Sequence, residues 1–210
     1  MKRFLRPLRI WPVARVKHGY AASRLRRALR EGLPNLRVVI GASGTAFPGW
    51  VATEYPLVNI ADLRSLVKLF APASVEVILA EHVWEHLSPE EAAAGARNCF
   101  WLLKRGGYLR IAVPDGLHPD KQYIDYVKPG GSGAGSDDHK ALYTYRTLTK
   151  LLEDAGFRVT LLEWFDEDGH FRFRDWDPAM GYIARSTRFD ERNKTNPTAY
   201  TSLIADATRD

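Results

Sequence analysis

The chain has 210 residues, 45% of them hydrophobic, with a formal net charge of +5, which suits a single globular domain with a real core and room for a terminal arm. Its one cysteine, Cys99, rules out an internal disulfide and a cysteine-based metal site, and fits a reducing compartment. No apolar run approaches the ~18 residues of a membrane span, and Arg9, Arg15 and Lys17 break up any signal-peptide core, so the expectation is a cytoplasmic protein without a membrane span.

The charge is uneven. Residues 1–37 hold 11 Lys and Arg against one acid, Glu31, a net +10 that leaves −5 for the remainder. The expected organisation is therefore a basic arm over residues 1–35 and a domain over residues 36–210. The arm predicts a helix from about Pro12 to Glu31, ended by Gly32 and Pro34. A basic arm can bind nucleic acid, anionic lipid or an anionic substrate, or simply be a solvated helix face. The Arg-rich start also suits a transit peptide, although serines are scarce.

Leu36–Ile40 is an unbroken apolar run that predicts a strand buried on both faces, as in a parallel sheet. It empties into a glycine turn, Gly41-Ala42-Ser43-Gly44. Trp50–Glu54 predicts a second strand and Val58–Ala61 a weak third. A short helix over Leu63–Leu69 follows, then the clearest strand, Val75–Ala80. Ser88-Pro89-Glu90-Glu91 is a strong helix start, with Ser as N-cap, Pro at the first position and Glu three residues past the cap. That helix runs to about Leu103, and Tyr108–Val113 predicts the next strand. Residues 116–141 read as a long, glycine-rich mobile loop over a site. A helix over Tyr143–Ala155, a strand over Phe157–Phe165, an irregular aromatic stretch over residues 166–199 and a last strand over Thr201–Ala207 complete the chain. Strands alternating with helices predict an α/β domain with a mainly parallel sheet.

Ligands in such sheets sit beyond the C-terminal strand ends. That rule gathers the glycine turn, Glu54, Asp62, Glu81–His86 and Asp115 on one edge. A glycine turn followed by strand-end acids suits an adenosine-containing cofactor: the turn admits the ligand to the backbone, and a carboxylate accepts from ribose hydroxyls. The turn lacks the spacing of a dinucleotide site, and no helix N-terminus follows closely to hold a pyrophosphate. His86 and His139 are the candidate bases, because histidine titrates near neutrality. Asp138, beside His139, would raise its basicity. Alternatively, His86 ties the strand-end loop to the sheet and His139 is a surface turn residue. Glu85 can cap the following helix or bind a hydroxylated substrate. Asp115, Tyr143, His170 and Trp176 are further substrate candidates. Rings among arginines suit a sugar, an ordinary satellite core or a dimer interface. No metal-ligand set is read from the pattern.

The segments IGASGTAFPGWVATE, VEVILAEHVWEHLSPEEA, LLKRGGYLRIAVPDG, DDHKALYTYRTLTKLLEDAGF and YTSLIADA together resemble class I S-adenosylmethionine-dependent methyltransferases. The likeness is greatest to the small methyltransferases of bacterial sugar, capsule and secondary-metabolite gene clusters. The resemblance implies a Rossmann-like, doubly wound, seven-stranded, mostly parallel sheet with an antiparallel last strand. It also implies S-adenosylmethionine as cofactor. Gly41, Ala42, Ser43 and Gly44 would line its methionine end, Glu54 would bind the ribose, Asp62 and Leu63 the adenine, and Ala80, Glu81 and His82 would contact it from the fourth predicted strand. Ser43 departs from the family's pattern, which usually carries another glycine there; a positive φ at a serine costs roughly 1 kcal/mol or more. The implied activity is methyl transfer to oxygen or nitrogen of a small sugar-like or secondary metabolite. The alternatives are an RNA methyltransferase guided by the basic arm, and a non-catalytic scaffold whose cofactor turn has degraded.

Overall fold

The computed structural model describes residues 26–27, 35–42 and 47–210. Ser43 and Gly44 lie outside the described residues, as does nearly all of the arm. Of the expected helix over residues 12–31 only Arg26 and Arg27 are described, both helical, and the φ of Ser43 falls outside.

The described elements are β1 (Leu36–Ile40), β2 (Trp50–Ala52), α1 (Leu63–Leu66), β3 (Val75–Glu81), α2 (Pro89–Leu102), β4 (Leu103–Pro114), α3 (Lys121–Val127), α4 (Tyr145–Glu153), β5 (Arg158–Phe165), β6 (Phe171–Phe173) and β7 (Ser202–Thr208). They form a seven-stranded sheet in the order β2-β1-β3-β4-β7-β5-β6. The strands β1 to β4 run parallel, β7 is antiparallel to both β4 and β5, and β6 is antiparallel to β5. This is the expected Rossmann-like α/β sheet with an antiparallel last strand.

Three local expectations are corrected. Val58–Ala61 is a turn, not a strand. Its amides are used locally: Val58 N donates to Glu54 O, Ala61 N to the Asn59 side chain and Asp62 N to Asn59 O. Asn59 offers the backbone an alternative to a sheet ladder, while Val58 and Ile60 still bury in the core. The seventh strand is instead β6, at the opposite edge. The segment 116–141 is no structureless loop either: it holds α3, capped by Asp120. Its glycine run folds back on that helix, with Ser132 N donating to Asp125 O and Gly133 N to Tyr126 O. A Cβ at Gly133 would meet Tyr126 O at 2.6 Å, so the close approach requires glycine.

The two sheet faces are covered differently. On one, Val38, Ile40, Ile78, Ala80, Leu109, Ile111, Leu203 and Ala205 pack against Leu66 of α1, Ala96, Cys99 and Leu102 of α2, and Leu148 and Leu152 of α4. On the other, Val39, Leu79, Ala112, Leu162 and Ile204 meet Trp176, Ile183 and Phe189. These come from residues 174–189, which run across that face as a strap. The strap is fastened to the strands by carboxylates and by one arginine. Trp176 Nε1 and Thr187 N donate to the two oxygens of Glu163, at 2.9 and 2.8 Å. Arg110, itself paired with Asp206 at 2.8 Å, donates to the carbonyls of Asp177 and Gly181.

Candidate active site

The site forms where β1 and β3 end. β1 runs into Gly41, whose φ is +64°, and a Cβ there would meet Val83 Cγ2 at 2.8 Å. β3 runs into His82, a non-glycine residue at φ +54°. Histidine tolerates the left-handed region better than most residues, but the conformation still costs free energy and marks a constrained position. A one-turn 3₁₀ helix, Trp84–His86, follows. It sets Trp84 into the core under α2, with Nε1 donating to Ala92 O at 3.3 Å. The same turn buries Glu85 and leaves His86 partly exposed. The capping box of α2 then fixes the exit: Glu91 N donates to Ser88 Oγ, and Ser88 N donates to Glu91 Oε2.

Two adjoining cavities open here, of about 350 Å³ and about 520 Å³, sharing Ile40, Gly41, His82 and His86. The smaller is walled by Ala42, Glu81, Glu85, His139 and Arg185, the larger by Tyr55, Asn59, Ile60, Asp138 and Lys140. Each falls in the range of small-molecule sites, roughly 300–1,000 Å³.

The polar groups at the junction are closely interlocked. His82 Nδ1 lies 3.0 Å from Glu85 Oε1, and Nε2 lies 2.9 Å from Ser202 Oγ. The Ser202 hydroxyl donates onward to Arg185 O at 2.8 Å. Burial pushes the Glu85 carboxyl up, but the adjacent His82, the dipole of its own backbone amide and His86 outweigh it and hold the group below the usual carboxylate range. The rings of His86 and His139 meet edge to face at 4.7 Å, and His86 Nδ1 faces Asp138 Oδ2 at 3.3 Å. His139 Nδ1 donates to Val127 O at 2.7 Å, so its lone pair sits on Nε2. Glu85 O accepts from Lys140 N and Ala141 N, which ties the 84–86 turn to the segment bearing His139.

No protein-family model and no curated protein matches the chain. Among solved structures, a SAM-dependent methyltransferase of Thermotoga maritima, a possible histamine N-methyltransferase, aligns with a TM-score of 0.51 at 14% identity, covering 93% of this chain and 92% of that one. A SAM-dependent methyltransferase of Mesorhizobium loti aligns at 0.50 and 12% identity, covering 90% and 100%. An O-methyltransferase family protein of Burkholderia thailandensis aligns at 0.51 and 11% identity, covering 93% of this chain and 60% of that one. The fold is that of the S-adenosylmethionine-dependent methyltransferases.

On this methyltransferase fold, the residues singled out in the sequence fall into three groups. Gly41, Ala42, His82, Glu85, His86, Asp138 and His139 do meet around the cavities. Glu81 also lines the wall, but its carboxylate accepts from Ala184 N and Arg185 N at 3.0 and 2.8 Å, so it anchors the strap. Glu54 stands just past β2 and does not line either cavity. The rest lie elsewhere. Asp62 caps its own helix by accepting from Arg64 N, Leu63 is exposed, and Ala80 is fully buried in the main core. Asp115 is buried, with both oxygens taken by the amides of Leu117 and Phe165; burial pushes its carboxyl up to about 6. Tyr143 is buried with its hydroxyl 3.5 Å from Trp84 O, and burial beside Glu85 pushes it up to about 12, which removes it as a base. His170 is an exposed residue of the β5–β6 turn beside Asp166. Trp176 belongs to the satellite core under the strap. Glu85 caps no helix; Glu91 does that.

Sequence reasoning missed Ser202, Ala184 and Arg185. Ser202 lay in the expected last strand, Thr201–Ala207, with nothing local to mark its contact with His82. No helix of the described residues is long and apolar enough to cross a membrane.

Proposed function

We propose that the chain is an S-adenosylmethionine-dependent methyltransferase acting on oxygen or nitrogen of a small, hydroxylated, sugar-like or secondary metabolite. The observation that carries this reading is the meeting of Gly41 with the His86–His139 pair on one cavity edge of this fold. At Gly41 the backbone is open to a ligand, because a side chain would collide with Val83. Methyl transfer needs an acceptor atom held in line with an electrophilic methyl, and positioning supplies most of the acceleration. In this reading Gly41 and Ala42 pass the methionine end. The larger cavity takes the adenine against Tyr55, Asn59 and Ile60 rather than Asp62. The imidazoles then lie toward the acceptor.

Millimolar S-adenosylhomocysteine should raise the melting temperature while NAD does not, and labelled methyl groups should pass to one member of a panel of glycosides, aminosugars and phenols. No shift with S-adenosylhomocysteine would sink the proposal. The two-part organisation, with an arm over residues 1–35, is part of the same reading. Deleting the arm should leave cofactor binding intact, and loss of salt-dependent RNA binding on that deletion would favour the RNA alternative. A monomer–dimer equilibrium is readable in the same preparations by sedimentation.

A further inference from the structure

We propose that Glu85, His86 and His139 bind one divalent transition-metal ion, with open coordination positions facing the acceptor. One carboxylate oxygen and one ring nitrogen from each histidine all lie within 4.8 Å of one another. Tetrahedral donors around an ion at about 2.0–2.2 Å stand roughly 3.3–3.6 Å apart, so a small closing movement of the side chains completes the set.

Glu85 supplies the independent observation. It is completely buried, yet its Oε2 has no hydrogen-bond partner, and Oε1 faces only His82 Nδ1. A buried carboxylate left half-satisfied is costly unless a cation completes it. His139 carries the outer contact that a ligating imidazole uses. His139 Nδ1 donates to Val127 O, which orients that ring and leaves its Nε2 for the ion, and His86 Nδ1 is buried without a hydrogen-bond partner, 3.3 Å from Asp138. Two imidazoles and one carboxylate favour Zn²⁺, Co²⁺, Ni²⁺, Mn²⁺ or Fe²⁺ over Mg²⁺ and Ca²⁺, which prefer oxygen donors. Three protein ligands, rather than four, are the pattern of sites that admit an exogenous oxygen.

What the ion does rests on the methyltransferase reading; that it binds does not. A hydroxyl of the acceptor coordinated to the ion would lose its proton to solvent more readily. The resulting oxygen forms the O–CH₃ bond as the S–CH₃ bond of the sulfonium breaks, the bonding pair returning to sulfur to leave a neutral thioether. This narrows the acceptor to an alcohol or phenol, best one with a second oxygen able to chelate.

The test is titration of the metal-stripped full chain with Co²⁺, followed by its visible d–d absorption, alongside calorimetric titration with S-adenosylhomocysteine. The expected result is one equivalent of Co²⁺, with binding weakened at least 10-fold in both His86→Ala and His139→Ala. Both variants should keep the wild-type circular dichroism. Wild-type protein that binds S-adenosylhomocysteine but takes up no Co²⁺ or Zn²⁺ overturns the metal site alone. Co²⁺ uptake unchanged in both variants also overturns it. Co²⁺ uptake lost in the variants, without S-adenosylhomocysteine binding, upholds the site while removing the methyltransferase reading.

Discussion

His82 joins Glu85 to Ser202, with Nδ1 3.0 Å from the buried carboxylate and Nε2 2.9 Å from the hydroxyl. One ring thereby links the strand-end turn after β3 to the first residue of β7, and through Ser202 to the strap at Arg185. His82→Ala would leave the Glu85 carboxylate without its facing donor and keep a φ of +54° that alanine adopts poorly. The expected loss is about 2–4 kcal/mol in urea unfolding. His82→Asn, which tolerates the left-handed region and keeps a donor, should lose about half as much. Equal losses in the two variants would mean that the ring's bridge contributes little.

Gly41 offers a second test. Gly41→Ala places a methyl against Val83 at 2.8 Å and at φ +64°. S-adenosylhomocysteine affinity should fall at least tenfold in calorimetry. Gly41→Ala with Val83→Ala removes the collision but not the backbone strain of roughly 1 kcal/mol. It should therefore recover only part of the binding, and full recovery would show that the left-handed conformation is unimportant.

Asp115 should make stability depend on pH. Its carboxyl is raised from 3.8 to about 6 by burial, so the folded state holds a proton that the unfolded state has already released between those values. The Asp115 contribution to stability is therefore greatest below about pH 4, falls as pH rises toward 6, and is lost above it, on the order of 3 kcal/mol. Asp115→Asn lacks this titration. The stability advantage of wild type over the variant should shrink from pH 4 to pH 7, as measured by urea unfolding at each pH.

The strap can be probed at Trp176. Trp176→Phe removes the 2.9 Å bond to Glu163 and leaves one oxygen of a fully buried carboxylate unpaired, at an expected cost of about 1–3 kcal/mol. Adding Glu163→Leu removes the orphaned group as well. The double variant should be less destabilised than the sum of the singles, and strict additivity would show that the two side chains do not act together.

Much of this was readable from the chain. The β3–α2 junction was legible because Ser88, Pro89 and Glu91 form a start signal whose physics is entirely local. The cavity residues His82, Glu85 and His86 were legible for the same reason: they crowd one short stretch after an obvious strand. Val58–Ala61 was misread because apolar burial and strand pairing look alike in sequence, and only the Asn59 turn decides between them. α3 was hidden by the glycines that follow it, although Asp120 ahead of Tyr123 and Val127 is a cap before an i,i+4 apolar pair. Tertiary partners left no local trace: Glu81 reaches an amide 103 residues away. That is why it read as a ligand contact and proved to be an anchor.

The position of β7 bears on how the protein is made. Ser202–Thr208 lies between β4 and β5, pairing Ala205 with Ile111 on one side and Leu161 on the other. It leaves the ribosome after the other six strands of the sheet. Until it emerges, β4 and β5 each present a free inner edge of hydrophobic backbone, which can recruit strands from other chains. Nascent chains stalled before Ser202 are thus the form most in need of a chaperone, and the closing strand, rather than the hydrophobic centre, sets when the newly made protein becomes safe from its neighbours.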